Sequence, residues 1–300
     1  MSLPIACTPG QTCWIANYPD HDSGSGFRDY HCGALGYDGH DGTDFALRDE
    51  AEMKTGVAVV AAAPGIVRGM RDGVPDTGLS AGKEAIAGRE CGNGVVIVHE
   101  GGWETQYCHM RQGSVAVRQG DHVERGQKLG LVGLSGNTEF PHLHLSVRHG
   151  REKVDPFLGE EAPGACKIAA SSLWDEAARK ALAYQPIAIY NAGFSRSAPK
   201  PDAIRRGEHD APARAGEALV LWADMFGIEP GDRVELRIVG PDGKPVVENA
   251  RAMEKRSIRW FEYAGKRTPA GSWPAGTYKG EIVVTRGTLV VRREESIQLQ

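Results

Sequence analysis

The 300-residue sequence lacks the features that mark several large classes of protein. No stretch approaches the ~20 apolar residues that a membrane-spanning helix needs. Its 35 basic residues do not outnumber its 39 acidic ones, which argues against nucleic acid as a partner. No two cysteines are spaced C-x-x-C, so neither a zinc ribbon nor a thioredoxin-like redox pair is expected. The composition is that of a globular protein with many turns.

The cysteines that are present point to a cellular compartment. They are even in number and scattered along the chain, at Cys7, Cys13, Cys32, Cys91, Cys108 and Cys166. This usage is typical of disulfides in an oxidising environment, the alternative being buried free thiols in a cytosolic protein. The first residues carry neither a basic nor an apolar leader segment. We therefore expect a periplasmic or secreted protein whose signal peptide has been removed.

Changes in composition predict four segments and a mainly β fold. Residues 1–35 form an irregular cysteine-containing segment, and residues 36–160 hold short β-like runs separated by glycine turns. Residues 161–185 contain one short helical pattern and form a connector. Residues 186–300 alternate strands with Pro-Gly and Pro-Asp-Gly turns, as in an immunoglobulin-like β-sandwich.

Finer expectations follow within these segments. Residues 68–90 show no pattern and are predicted to be a long loop, and residues 195–215 are predicted to be a linker or a long loop. In the connector, Ser172 and Asp175 resemble a capping box that starts a helix. Strands of the sandwich are predicted at 218–222, 233–239, 257–263, 277–285 and 288–299.

A first candidate for metal chemistry is the run from His40 to Asp44, which reads His-Asp-Gly-Thr-Asp. Histidine and aspartate are metal ligands, but on a straight strand the two would be ~13 Å apart at ~3.3 Å per residue. The backbone must therefore bend between them if they share an ion, and Gly42 can allow that bend.

A second candidate is the run from Pro141 to Val147, which reads Pro-His-Leu-His-Leu-Ser-Val. The alternation of a strand puts its apolar residues on the core face. His142 and His144 then project together on the opposite face. One imidazole of such a pair can bind a metal ion while the other stands beside it, over a substrate.

A third candidate is His109, which ends the run Thr-Gln-Tyr-Cys-His. By alternation it shares a face with Thr105 and Tyr107. His109 is expected to point towards the same groove as the His-Leu-His pair. His99, at the end of another apolar run, is interpreted as structural.

In this order the three patterns resemble the lysostaphin-type (LytM-like) zinc endopeptidases that cut bacterial peptidoglycan. The resemblance covers residues 36–155 and extends between the motifs, to runs at 56–67, 92–99, 120–130 and 133–138. It implies an antiparallel β-sheet peptidase domain that hydrolyses peptide bonds in peptidoglycan stems or cross-bridges.

The resemblance also implies roles for five residues. His40, Asp44 and His144 match the ligands of one zinc ion, and His109 and His142 match the two catalytic histidines. Three protein ligands leave a fourth position free, as in catalytic zinc sites. Since no H-E-x-x-H helix occurs, histidine is expected to assist the zinc-activated water as acid and base.

Two features depart from the family pattern, namely the long segment at 68–90 and the bulky Glu139-Phe140-Pro141 before the His-Leu-His run. Neither removes a matched residue. Two other functions stay open: an inactive envelope scaffold or amidase activator, and a secreted protease for glycine-rich proteins.

The six cysteines allow fifteen full pairings, and the sequence does not choose among them. A Cys91–Cys108 bridge is the leading hypothesis. Hairpin symmetry puts Val95 opposite Cys108, so the bridge requires the chain to fold back between Gly92 and Gly94.

Overall fold

The computed structural model describes residues 1–161 and 166–300. Residues 162–165, part of the predicted connector, lie outside the described residues. The chain divides into two compact units, residues 1–185 and residues 186–300. The finer division into four segments stays a prediction.

The first unit is built on an antiparallel sheet of eight strands. The strands of this unit are β1 (Trp14–Asn17), β2 (Thr43–Ala46), β3 (Ala58–Val60), β4 (Gly65–Arg71), β5 (Asn93–Val98), β6 (Trp103–Met110), β7 (His122–Val123), β8 (Lys128–Leu131), β9 (His142–His149) and β10 (Glu152–Val154). The main sheet has the order β1-β2-β9-β6-β5-β4-β7, with β10 paired to β9, and β3 pairs with β8 in a second sheet. The helices are α1 (Glu50–Thr55), α2 (Lys83–Ile86) and α3 (Glu176–Ala181), with 3-10 turns at Gly78–Ala81 and Glu100–Gly102.

Side chains along strand β9 alternate between the core of the unit and the opposite face of the sheet. Leu143, Leu145 and Val147 alternate along it and are buried in the core of the first unit. The residues between them therefore face the other side of the sheet, as the alternation predicts. Tyr18 and Tyr30, from the N-terminal segment, pack into the same core.

Two local predictions in this unit need correction. The segment at 68–90 is not a loop throughout, because β4 continues to Arg71 and a 3-10 turn and α2 follow. Helix α3 begins one turn later than the Ser172 pattern predicts. Asp175 caps it instead, since its side chain accepts a hydrogen bond from the Ala178 N–H.

The second unit is a β-sandwich. Its strands are β11 (Ala188–Ser195), β12 (Ala218–Ile228), β13 (Arg233–Val239), β14 (Pro245–Ala252), β15 (Ser257–Arg267), β16 (Gly276–Arg286) and β17 (Leu289–Leu299). They form a three-stranded sheet, β11-β12-β15, and a four-stranded sheet, β14-β13-β16-β17. Side chains from both sheets share one apolar core. The predicted mainly β fold, with a C-terminal sandwich of immunoglobulin-like type, is confirmed.

The strand predictions for the sandwich were incomplete. Strand β13 has the predicted bounds, whereas β11 and β14 were missed. Strand β14 is a mostly exposed edge strand, so it lacks the apolar alternation that reveals a half-buried strand. The predicted linker contains helix α4 (Pro201–Arg205), with proline in its first turn.

All six cysteines form disulfides: Cys7–Cys13, Cys32–Cys166 and Cys91–Cys108. The hypothesis of a Cys91–Cys108 bridge is confirmed. The expected pairing of Val95 with Cys108 is wrong, because Val95 pairs with Tyr107. The register of the two strands shifts between Val95 and Asn93. Among the described residues, no helix combines the length and apolar character of a membrane span.

Candidate active site

The register of three neighbouring strands assembles the centre of the site. Asp44 on β2 lies directly opposite His144 on β9, and His144 lies opposite Cys108 on β6. Side chains in opposite positions are ~5 Å apart at their Cβ atoms. Residues far apart in the sequence therefore meet, and His144 Nδ1 lies 2.8 Å from Asp44 Oδ1.

His40 precedes β2 and reaches the same point. Its Nδ1–H donates to the carbonyl oxygen of Tyr18 at 2.8 Å, which turns Nε2 towards Asp44. Nε2 lies 3.1 Å from Asp44 Oδ2. This nitrogen is buried and has no hydrogen-bond partner among the described residues.

Gly42 lies at a bend between His40 and Asp44, as predicted. Its lack of a side chain is also required at this position. A Cβ atom built on Gly42 would lie 2.5 Å from His144 Nε2 and 2.7 Å from the carbonyl oxygen of Leu145. No larger residue fits there without displacing His144.

His109 reaches the groove by a route that differs from the prediction. Thr105 and Tyr107 are buried, and Tyr107 belongs to the core. The backbone of His109 has φ +59°, a left-handed conformation that is uncommon outside glycine. This turn breaks the alternation of β6, so His109 does not share the core face of those residues and its ring lies 4.6 Å from that of His142.

Two contacts fix the unusual conformation of His109. Its N–H donates to the carbonyl oxygen of Cys91 at 2.8 Å, and Cys91 is joined by a disulfide to the neighbouring Cys108. Its Nδ1 donates to the carbonyl oxygen of Ser135 at 2.8 Å. In the neutral ring Nε2 therefore carries no proton.

His142 is oriented in the same way. Its Nδ1 lies 2.9 Å from the carbonyl oxygen of Phe140 and 3.0 Å from the hydroxyl of Thr138. Since a carbonyl oxygen only accepts, the proton lies on Nδ1. The other nitrogen, Nε2, lies 3.4 Å from Asp44 Oδ1. The bulky segment before β9 thus supports His142 through Phe140.

Two overlapping groups of side chains could hold a metal ion. One comprises His40, Asp44 and His144, and the other comprises His109, His142 and His144. In each group the potential ligand atoms lie within 4.8 Å of one another. All five residues predicted from the sequence therefore meet in one place.

Burial and charge set the protonation of this cluster. Burial would raise the pKa of Asp44, but the nearby His40 and His142 hold that pKa well below its usual range. Burial would lower the pKa of His144, yet hydrogen bonds and charges of Asp41 and Asp44 raise it to about 9. Burial lowers the pKa of His109, which keeps that imidazole neutral and able to accept a proton.

Two residues that contact the cluster were not predicted from the sequence. Asn17, buried on β1, pairs with Asp44 and donates from Nδ2 to Asp44 Oδ2 at 2.8 Å. Asp41 lies between His144 Nε2, at 3.4 Å, and the Lys153 ammonium, at 2.9 Å. Asp41 stands inside the first motif, whereas no pattern in the sequence connects Asn17 with it.

His99 lies outside the cluster. Its Nδ1 contacts the carbonyl oxygen of Pro64 at 2.7 Å, and its Nε2 contacts the hydroxyl of Thr105 at 2.8 Å. Both ring nitrogens are thus engaged, as in a histidine that joins neighbouring strands.

Known proteins resemble the part of the chain that holds the cluster. Residues 38–156 match the profile of Peptidase family M23. The cell division protein DipM of Caulobacter vibrioides is 35% identical over 95 residues, which are 29% of this chain and 15% of DipM. The peptidoglycan DD-endopeptidase ShyB of Vibrio cholerae is 34% identical over 85 residues, which are 28% of this chain and 20% of ShyB. The solved catalytic domain of the antimicrobial peptidase lysostaphin from Staphylococcus simulans is 23% identical, with a TM-score of 0.30, over 47% of this chain and 85% of that domain.

Residues 38–156 thus match peptidase family M23, and the resemblance drawn from the motifs is confirmed. All five clustered residues lie within the matched segment, whereas Asn17 lies before it. The matches span no more than a fifth of DipM and ShyB.

Proposed function

We propose that this protein is an exported zinc metalloendopeptidase that hydrolyses peptide bonds in peptidoglycan stems or cross-bridges. The observation that carries the proposal is the meeting of His40, Asp44, His109, His142 and His144 in one cluster. The match to peptidase family M23 and the peptidoglycan DD-endopeptidase activity of ShyB support the reaction and the substrate.

The side chains of the first group fit a zinc ion. Two imidazole nitrogens and one carboxylate oxygen are ligands that zinc prefers, and three protein ligands leave a position for catalysis. Within the described part of the chain the buried His40 Nε2 has no hydrogen bond, and it faces Asp44 Oδ2 at 3.1 Å, as expected of two ligands turned towards one cation. His40 is further held through Nδ1, the arrangement that orients histidine ligands in metal sites.

His109 and His142 supply the proton transfers. When bound, zinc would polarise the scissile carbonyl and lower the pKa of a water molecule. Nε2 of either histidine can accept the proton of the attacking water, because Nδ1 already donates to a backbone carbonyl. The protonated ring can then donate to the leaving amine.

The disulfides support export. The described structure has no free cysteine, and three disulfides are typical of an oxidising compartment. We therefore place the enzyme in the periplasm or outside the cell.

The test is mass spectrometry of the fragments that the zinc-loaded protein releases from purified sacculi, with His40→Ala as the matched control. We expect cleaved stem or cross-bridge peptides from the native protein and none from the variant. An elastin-like peptide is assayed in parallel, and its cleavage would indicate a protease for glycine-rich proteins. If the native protein binds no zinc and releases nothing, the inactive scaffold is the correct function.

A further inference from the structure

The groove over the histidines continues across the sheet. One cavity of about 340 Å³ is lined by His40 and His144, among others, and a second of about 270 Å³ lies over β4 and β5. Cys91 and Gln106 line both cavities. The two cavities therefore form one groove, with the histidines at one end.

Arginines line the groove away from the histidines. Arg148 lines the first cavity, and Arg68 and Arg71 line the second. Arg148 follows His144 by four positions on β9, so both face the same side of the sheet. At ~3.3 Å per residue the two backbone positions are ~13 Å apart.

The contacts of these arginines leave positive charge available. Arg68 Nη1 lies 2.5 Å from Oε2 of Glu104, and Arg148 Nη1 lies 3.3 Å from Oε1 of the same carboxylate. The Glu104 side chain is 10% exposed, whereas those of Arg68 and Arg148 are 61% and 25% exposed. One carboxylate between two guanidinium groups leaves a net positive charge.

The two cavities differ in the acidic residues that line them. Asp41 and Glu90 both line it, and Lys153 neutralises Asp41 at 2.9 Å. The cavity over β4 and β5 has arginines and no acidic residue in its lining. The charge along the groove is therefore uneven, with more guanidinium groups than carboxylates in the part away from the histidines.

We propose that Arg148, whose backbone lies ~13 Å from that of His144, binds a free carboxylate of the peptide substrate together with Arg68. This inference rests on the proposed function and deepens it by naming the substrate class, a peptide with a free carboxylate. An extended peptide covers that distance in about four residues. The guanidinium group suits the task because its parallel N–H groups bind a carboxylate in pairs.

The experiment compares two forms of one cross-linked peptidoglycan peptide, with the terminal group as carboxylate or as carboxamide. The native enzyme is expected to cleave the carboxylate form with a kcat/KM about tenfold higher, the range of one charged hydrogen bond at a partly exposed site. Arg148→Gln is expected to lower the ratio of kcat/KM for the carboxylate form to kcat/KM for the carboxamide form, mainly through KM. Arg68 still neutralises Glu104 in this variant, so the fold is expected to persist.

Arg118→Gln is the matched control, because Arg118 is exposed and lines neither cavity. It is expected to keep the native preference. The inference is overturned if the native enzyme cleaves both peptides equally, or if Arg148→Gln slows both by the same factor. If the native enzyme cleaves neither peptide and releases nothing from sacculi, the proposed function fails, and this inference fails with it.

Discussion

Replacing Asn17 by leucine is expected to weaken zinc binding while leaving the fold intact. The Asn17 side chain is 3% exposed, and its Nδ2 donates to Asp44 Oδ2 at 2.8 Å. This bond holds the carboxylate at the position where it faces His40. Without it, Asp44 is free to turn towards His142 and His144, with which it already has contacts.

The expected loss of zinc affinity follows from the kind of hydrogen bond that is removed. A hydrogen bond to a charged group contributes about 1.5–3 kcal/mol, and partners that orient metal ligands contribute about 10–100-fold in affinity. Stability should change less. Oδ1 of Asn17 is buried without a hydrogen-bond partner in the described residues, so leucine also removes an unsatisfied polar atom.

The assay is competition with a chelator for zinc, with thermal unfolding of the metal-free protein measured in parallel. We expect Asn17→Leu to bind zinc about 10–100-fold more weakly than the native protein. Thr43→Val is the matched control, because Thr43 is equally buried and its hydroxyl has no hydrogen-bond partner in the described residues. A folded Asn17→Leu with native zinc affinity would show that Asn17 does not orient Asp44 for the metal.

Three further predictions follow from the site and its supports. His144→Ala should lose zinc, whereas His142→Ala should keep zinc and lose at least about 100-fold in kcat, as metal analysis and peptide cleavage would reveal. Serine at both Cys91 and Cys108 should lower kcat, because this bridge supports His109, whereas removing the Cys7–Cys13 bridge should leave kcat unchanged. Burial raises the pKa of Tyr107 to about 12, so only the unfolded chain loses this proton just above pH 10. Tyr107 alone should then lower the free energy of unfolding by about 1.4 kcal/mol per pH unit between pH 10 and 12, and Tyr107→Phe should reduce the total slope by that amount in urea titrations.

The sequence predicted the metal-ligand candidates because each lies in a short local pattern. Alternation along one strand was enough to put His142 and His144 on the face opposite the core leucines. The motif from His40 to Asp44 required a bend, and the structure has one at Gly42. The pairing of Asp44 with His144 could not be read locally, since it depends on the register of β2 against β9.

What the sequence could not reveal depends on backbone conformation and on distant contacts. Alternation would put His109 with the core residue Tyr107, and only its left-handed backbone brings it into the groove. Asn17 contributes through pairing of β1 with β2, and no motif marks such a contact. Strand β14 escaped detection because an exposed edge strand carries no apolar alternation.

The most direct test of the proposed zinc ligands is a crystal structure of the zinc-soaked protein with anomalous data at the zinc edge. We predict one zinc ion held by His40 Nε2, Asp44 and His144, with ligand distances of about 2.0–2.2 Å. His109 and His142 are expected to lie beside the ion without binding it. A zinc ion bound instead by His109, His142 and His144, or by none of these residues, would contradict the assignment.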